Sequence, residues 1–249
     1  MTTVMNIDVI IPFHGRVDLL TRCLSALADN DAIGGRVYLV DDGSPSRLDS
    51  RARRAFDAFG HPIHWLAYDT RQGFVAAVNH AWERCREPAT LVLNNDVVVP
   101  PDLVRRLREC LSNDARIGAV APASDHPTDL FQYRPVPSGP GTTEVPYLTA
   151  MCIAVRRAAV QSTRVFDAVY APGYFEDLDL CCRLRADGWK LAVLEDCRVH
   201  HTGRATFGDD PRLDLLVHRN YGIFLGRWRH LDSQPALDRL LWDREAECR

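Results

Sequence analysis

Acidic, amide and histidine side chains gather at four places in this 249-residue chain, each beside a run of apolar residues. Val40-Asp41-Asp42-Gly43-Ser44 offers a carboxylate that can accept hydrogen bonds from a ring N–H or from hydroxyls, although Asp-Gly-Ser is also ordinary turn chemistry. Leu93-Asn94-Asn95-Asp96 sets two amides beside a carboxylate. That is a hard-oxygen group suited to Mg2+ or Mn2+ on phosphates. Tyr174-Phe175-Glu176-Asp177-Leu178-Asp179-Leu180 leads into a helix pattern. A helix dipole favours acids in the first turn, but three acids exceed what capping needs. A carboxylate here can serve as a general base, and the aromatic pair before it fits a ligand platform. His200-His201 is the fourth group. Neighbouring residues on a strand point to opposite faces, so at most one of the two serves a given site.

Alternating strands and helices must position these groups. NIDVIIPF reads as a buried strand, and RVYLV, PIHWLAY, ATLVLNN and IGAVAP read as four further strands. Between them lie four helix patterns: Val17, Leu20, Cys23, Leu24 and Leu27 on one face; a helix near 47–59 with Ser46 as N-cap; one over 73–86; and one opened by Pro100-Pro101-Asp102. Strands separated by single helices predict an α/β fold, a mostly parallel Rossmann-like central sheet with helices on both faces. Ligands bind such sheets beyond the carboxyl ends of the strands. Residues 122–146 break the alternation with six prolines, a loop of a length that is usually functional or disordered. Beyond it the pattern predicts a strand in VPYLTAMCIAV, a helix from Glu176, a strand pair over 189–201, and a helix from Asp210-Pro211 to about 227.

Composition bounds the function. The net charge of −3 argues against a nucleic-acid binder. No apolar run approaches a membrane span, and MTTVMNID lacks the basic and apolar regions of a signal peptide, so a cytoplasmic protein is expected. Eight cysteines scattered through helix and strand patterns read as buried free thiols; zinc is set aside because no C-x-x-C pair exists. G-x-G-x-x-G, P-loop and G-x-S-x-G motifs are also missing. Lys190 is the only lysine, so 29 of 30 basic residues are arginine, a hint of a GC-rich bacterial genome.

In order, VIIPFHGR, LVDDGS, TRQGFVAAVN, LVLNNDVVVPPDL, LTAMCIAVRR, FDAVYAPGYFEDLDLCCRLRADGW and VHHTGRAT resemble a family 2 glycosyltransferase of the GT-A fold, over about residues 7–207. The resemblance, which extends to bacterial rhamnosyltransferase-like members, implies an inverting enzyme using a nucleotide-diphosphate sugar, UDP- or dTDP-linked. It places Pro12, Phe13, Asp42 and Arg71 around the nucleobase, with Asp42 accepting the base N–H. Asp96 matches the last acid of the family's D-x-D signature and His201, which begins His201-Thr202-Gly203, matches the histidine that completes metal and phosphate binding. Asp177 matches the catalytic base, with Glu176 placing the acceptor. Mn2+ or Mg2+ is the implied cofactor.

Two departures stand out. Asn94 replaces the first acid of D-x-D, removing a charged metal ligand, and Asn94 and Asn95 become donor-site amides. Gly203-Arg204-Ala205-Thr206 stands where the family has Gly-Gly-x-Ser, so Arg204 is a candidate cation near the diphosphate. The chain reads as one domain, 1–249: a nucleotide-binding half over about 1–121, an acceptor and catalytic half over about 145–207, and C-terminal helices over about 208–249. The alternatives are a sugar-nucleotide nucleotidyltransferase and a degenerate sugar-nucleotide-binding module. The acceptor hydroxyl is left open among glycan, lipid-linked sugar, peptide and small molecule. Trp228, Leu231, Leu237, Leu240, Leu241 and Trp242 among arginines fit a packed helix or homodimer contact, with peripheral docking at the inner membrane face as the alternative.

Overall fold

A computed structural model describes residues 5–30, 32–45, 56, 59–134, 136, 139–203 and 212–230. The backbone divides into two compact units, 1–208 and 209–249. The first holds strands β1 (Ile7–Phe13), β2 (Gly34–Asp42), β3 (Ile63–Tyr68), β4 (Ala89–Leu93), β5 (Val97–Val98), β6 (Ile117–Ser124), β7 (Thr142–Glu144), β8 (Cys152–Arg156) and β9 (Lys190–His201). Its described helices are α1 (Val17–Ala28), α2 (Phe74–Trp82), α3 (Leu103–Asn113) and α4 (Glu176–Ala186). The expected helix near 47–59, with its Ser46 cap, falls almost wholly outside the described residues.

The nine strands form one sheet in the order β3-β2-β1-β4-β8-β6-β9-β5, with β7 also pairing β9. β1 runs parallel to β2 and β4, β2 parallel to β3, and β6 parallel to β9. β8 lies between β4 and β6 and runs antiparallel to both, and β5 and β7 run antiparallel to β9. β1 and β4 are buried at every position, as the unbroken branched runs require of strands covered on both faces. Helix α1 turns Leu19, Leu20, Cys23, Leu24 and Leu27 inward, and α3 turns Leu103, Val104, Leu107 and Leu111 inward. Burying each such side chain contributes roughly 1.5–3 kcal/mol.

Three expectations need correction. VPYLTAMCIAV is a strand only from Cys152, because three consecutive amides before it go to side chains rather than to a neighbouring strand. Leu148 N–H meets Cys181 Sγ at 3.2 Å, Thr149 N–H meets Gln132 Oε1 at 2.6 Å, and Ala150 N–H meets Asp177 Oδ2 at 3.1 Å. The strand pair over 189–201 is one strand, β9, whose register against β6 jumps from Leu194 to Arg198. The charged bulge between is held by ion pairs from Glu195 to Arg134 and from Asp196 to Arg106. Residues 122–146 are also no open loop. β6 runs on to Ser124, a 3-10 turn spans Leu130–Gln132, and β7 closes against β9.

The second unit contains α5 (Arg212–Trp228). Among the described residues no helix is long and apolar enough to cross a membrane. The remaining apolar positions proposed for the C-terminal segment, from Leu231 on, lie outside the described residues. The described cysteines are free, and burial raises their thiols, to about 12 at Cys85 and Cys197, which leaves them unreactive.

Candidate active site

The loops after β1, β2 and β3 meet at one end of the sheet. His14 Nδ1 lies 2.8 Å from the Asp42 carbonyl oxygen, which can only accept, so Nδ1 carries the hydrogen. Gly15 N–H donates to Ser44 Oγ at 2.7 Å. The buried Asp42 carboxylate accepts from Gln72 N–H at 2.6 Å and Gly73 N–H at 2.9 Å, with Arg71 Nε 3.9 Å from Oδ2. This approach needs glycine at 73, whose φ is +94° and where a Cβ would sit 2.3 Å from that of Pro172. Asp42 and Arg71 therefore share one wall. Pro12 pairs with Val40 inside the sheet, and Phe13 is buried, edge-on to Trp65 at 5.5 Å, on the core side of that wall.

Asp96 and His201 are joined by a two-strand pairing that no sequence pattern announced. Val97 pairs with His201 and Val98 with His200 in the β5–β9 ladder, which lays the turn after β4 against the end of β9. Asp96 is 6% exposed, and its Oδ1 makes no hydrogen bond among the described residues. His201 Nε2 lies 3.5 Å from that oxygen. Asn94 Oδ1 is a second buried acceptor without a partner among the described residues. Unpaired buried oxygens are costly unless something meets them. A carboxylate oxygen beside an imidazole nitrogen is a donor pair that suits a divalent cation. Asn95 is buried beside them, and Arg204 lies outside the described residues.

The alternation on β9 separates the two histidines as expected. His200 is exposed and reaches Asp125 Oδ2 at 2.7 Å, whereas His201 is buried between acids. Sequence reasoning missed the acids on the far side of His201. Asp125 Oδ1 accepts from the His201 backbone N–H at 3.1 Å, and both Asp129 oxygens lie 3.0 Å from His201 Nδ1. His126, Asp129 and His201 together form a group able to hold a metal. The His126 ring also packs where a Cβ on Gly203 would be, 2.5 Å from Nε2, giving the glycine of His-x-Gly a steric reason. Burial disfavours charge on His201, but the hydrogen-bonded Asp129 and the nearby Asp96 carboxylate outweigh it and raise the ring to about 10.

Helix α4 delivers the acidic group. Tyr174 and Phe175 precede it with left-handed φ values of 73° and 71°, a strained entry of the kind found at functional sites. Phe175 is buried, so the aromatic pair is not one exposed platform. The three acids divide. Asp179 is sealed and pairs with Arg183 at 2.9 Å, a packing role. Asp177 is deep but not sealed, with Oδ2 on Ala150 N–H and Oδ1 on Leu178 N–H at 2.8 Å. Burial raises its carboxyl above the usual range despite those bonds. Glu176 is pushed higher, by burial and then by the Asp177 charge, and its Oε2 has no partner among the described residues. Such a pair titrates together, with both carboxyls above the ordinary range.

Residues 8–164 match the family described as "Glycosyl transferase family 2". An N-acetylglucosaminyl-diphospho-decaprenol L-rhamnosyltransferase of Mycobacterium tuberculosis is 36% identical, the match covering 84% of this chain and 82% of that protein. Among solved structures, GalNAc-T7 with UDP, GalNAc and Mn2+ superposes with a TM-score of 0.71 at 15% identity, over 92% of this chain and 49% of that one. A mannosyltransferase from Pyrobaculum calidifontis in complex with GDP-Man and Mn2+ gives 0.66 at 15% identity, over 96% and 69%. At that identity the two structures speak for the fold, of the GT-A type expected.

Proposed function

The chain belongs to glycosyl transferase family 2, and on that premise we propose an inverting transfer of a sugar from a dTDP- or UDP-linked donor to an acceptor hydroxyl. The observation that carries the reading is the unpartnered Asp96 oxygen facing His201 Nε2, across the strand ends from the Asp42–Arg71 wall. A pyrimidine ring N–H suits an aspartate acceptor at that wall. The M. tuberculosis relative, by its name, moves L-rhamnose onto a lipid-diphosphate-linked sugar. We take dTDP-rhamnose and an acceptor of that class as the first pair to test.

Asp96 and His201 would hold the divalent ion, with Asn94 contributing an oxygen. When bound, such an ion offsets the charge that grows on a leaving diphosphate. Asp177 performs the proton step. An acceptor hydroxyl is a weak nucleophile until a placed carboxylate takes its proton. The acceptor oxygen then bonds to the anomeric carbon opposite the diphosphate, the carbon–oxygen bond to phosphate breaks with its electron pair, and configuration inverts. Two backbone amides leave Asp177 one direction to face. Glu176, buried beside it with its Oε2 without a partner among the described residues, would help place the acceptor. Family membership favours this enzyme over the nucleotidyltransferase and binding-module alternatives.

The test is nucleoside-diphosphate release from dTDP- and UDP-sugars with a lipid-diphosphate-linked acceptor. Release that needs both substrates and is lost in Asp177→Asn supports the reading. Release unaffected by that substitution overturns Asp177 as the base.

A further inference from the structure

We propose that Asp129 is a positioning residue for His201, fixing which ring nitrogen faces Asp96. The inference rests on the donor-site reading above. Asp129 is 2% exposed, and both its oxygens lie 3.0 Å from His201 Nδ1. A carboxylate is an acceptor, so Nδ1 carries the hydrogen and the ring is held in one rotamer. Nε2 is thereby turned toward Asp96 Oδ1, 3.5 Å away.

Asp129 is itself held from three sides. Ser124 Oγ donates to its Oδ2, its backbone N–H donates to His126 O at 3.1 Å, and its carbonyl accepts from Gln132 N–H at 2.9 Å. Ser124 ends β6 and pairs with Val199 of β9, so the carboxylate and the histidine hang from adjacent strands. An imidazole whose second nitrogen donates to a carboxylate is the arrangement that orients metal-ligating histidines and raises their basicity, and losing such a partner costs 10- to 100-fold in metal affinity. His126 belongs to the same cluster, yet its Nδ1 is engaged by Thr128 Oγ1 at 2.7 Å, and Asp129 Oδ2 is engaged by Ser124. Those engagements favour Asp129 as a support for the ring over Asp129 as a ligand.

The experiment uses the full chain labelled with 15N-histidine. In the metal-free wild type, His201 should show a slowly exchanging Nδ1–H resonance, lost in Asp129→Ala while the fold, followed by circular dichroism, persists. Titration with Mn2+ in the presence of dTDP or UDP, read by electron paramagnetic resonance, should show affinity about 10- to 100-fold weaker in Asp129→Ala. Asp129→Asn keeps an acceptor oxygen and should retain the resonance with affinity between the two. This variant also serves if alanine prevents folding, since the resonance must then persist and the affinity must lie below wild type. An unchanged resonance and unchanged Mn2+ affinity in the variants overturn the proposal. A wild type that binds no Mn2+ refutes the donor-site reading instead, because the metal-free resonance still decides the role of Asp129.

Discussion

Ala150 N–H points at Asp177 Oδ2 from 3.1 Å, and the amide before it, Thr149 N–H, is held at 2.6 Å by Gln132 Oε1. The candidate base is thus fastened to the same turn that carries Asp129, with one end of the turn on His201 and the other on the segment around Asp177.

Asp177→Asn removes the proton acceptor and keeps an oxygen for the Ala150 amide, but sets its NH2 against the Leu178 N–H. Turnover should fall by about 10²- to 10⁴-fold, the range for losing a general base. Donor affinity should be unchanged. Burial already disfavours the ionised form, so the loss of thermal stability at neutral pH should be no more than the lost Leu178 bond, about 1–3 kcal/mol. Steady-state kinetics beside donor titration and a melting curve checks all three.

The pH dependence follows from the direction of the same shift. The base must be ionised to act, and its pKa lies above the ordinary value of about 3.9. As pH falls, Asp177 takes up a proton sooner than an exposed aspartate would. The acid limb of kcat/KM should therefore lie above the usual carboxylate range. A limb at or below about 4 would contradict the burial argument.

Gln132→Ala removes the group that holds Thr149 and, through it, the segment donating to Asp177. Turnover should fall about 10- to 100-fold, as expected for misplacing a reacting group by about an ångström. Donor affinity should hold. The Thr149 amide and Pro122 carbonyl lose their partner, so stability should drop by about 1–3 kcal/mol. A kinetic comparison with dissociation constants for the donor separates this outcome from a loss of binding.

Gly73→Ala tests the nucleobase wall. Alanine at φ +94° is strained, and its Cβ meets Pro172. A loss of about 1–3 kcal/mol is expected, read as about 2–4 °C of melting temperature per kcal/mol. Weaker nucleotide binding should accompany it, because the Gly73 amide is one of the two that fix Asp42.

Much of this arrangement was legible in the residues. The unbroken apolar runs located β1 to β4, and Asp42 and Asp96 followed as what stands after strand ends. Strand alternation together with His-x-Gly singled out His201 over His200. Asp125, His126, Asp129 and Gln132 escaped notice because they work through side-chain bonds to distant partners, which leave no periodicity. Their six-proline setting imitates a plain loop. β5 is two residues long, too short for any pattern, yet its pairing is what joins Asp96 to His201. The false strand before Cys152 has the same origin: its apolar side chains are buried, but its amides serve Gln132, Asp177 and Cys181.

The most direct test is thermal unfolding with dTDP, UDP, GDP and ADP, each with Mn2+, Mg2+ or chelator, on wild type and Asp96→Ala. At 100 times its dissociation constant a ligand adds about 2.7 kcal/mol, a shift of several degrees. Stabilisation by dTDP or UDP is expected, growing with the divalent ion and losing that increment in Asp96→Ala. No stabilisation by any of the four nucleotides, or a metal increment that survives the loss of Asp96, would contradict the donor-site reading.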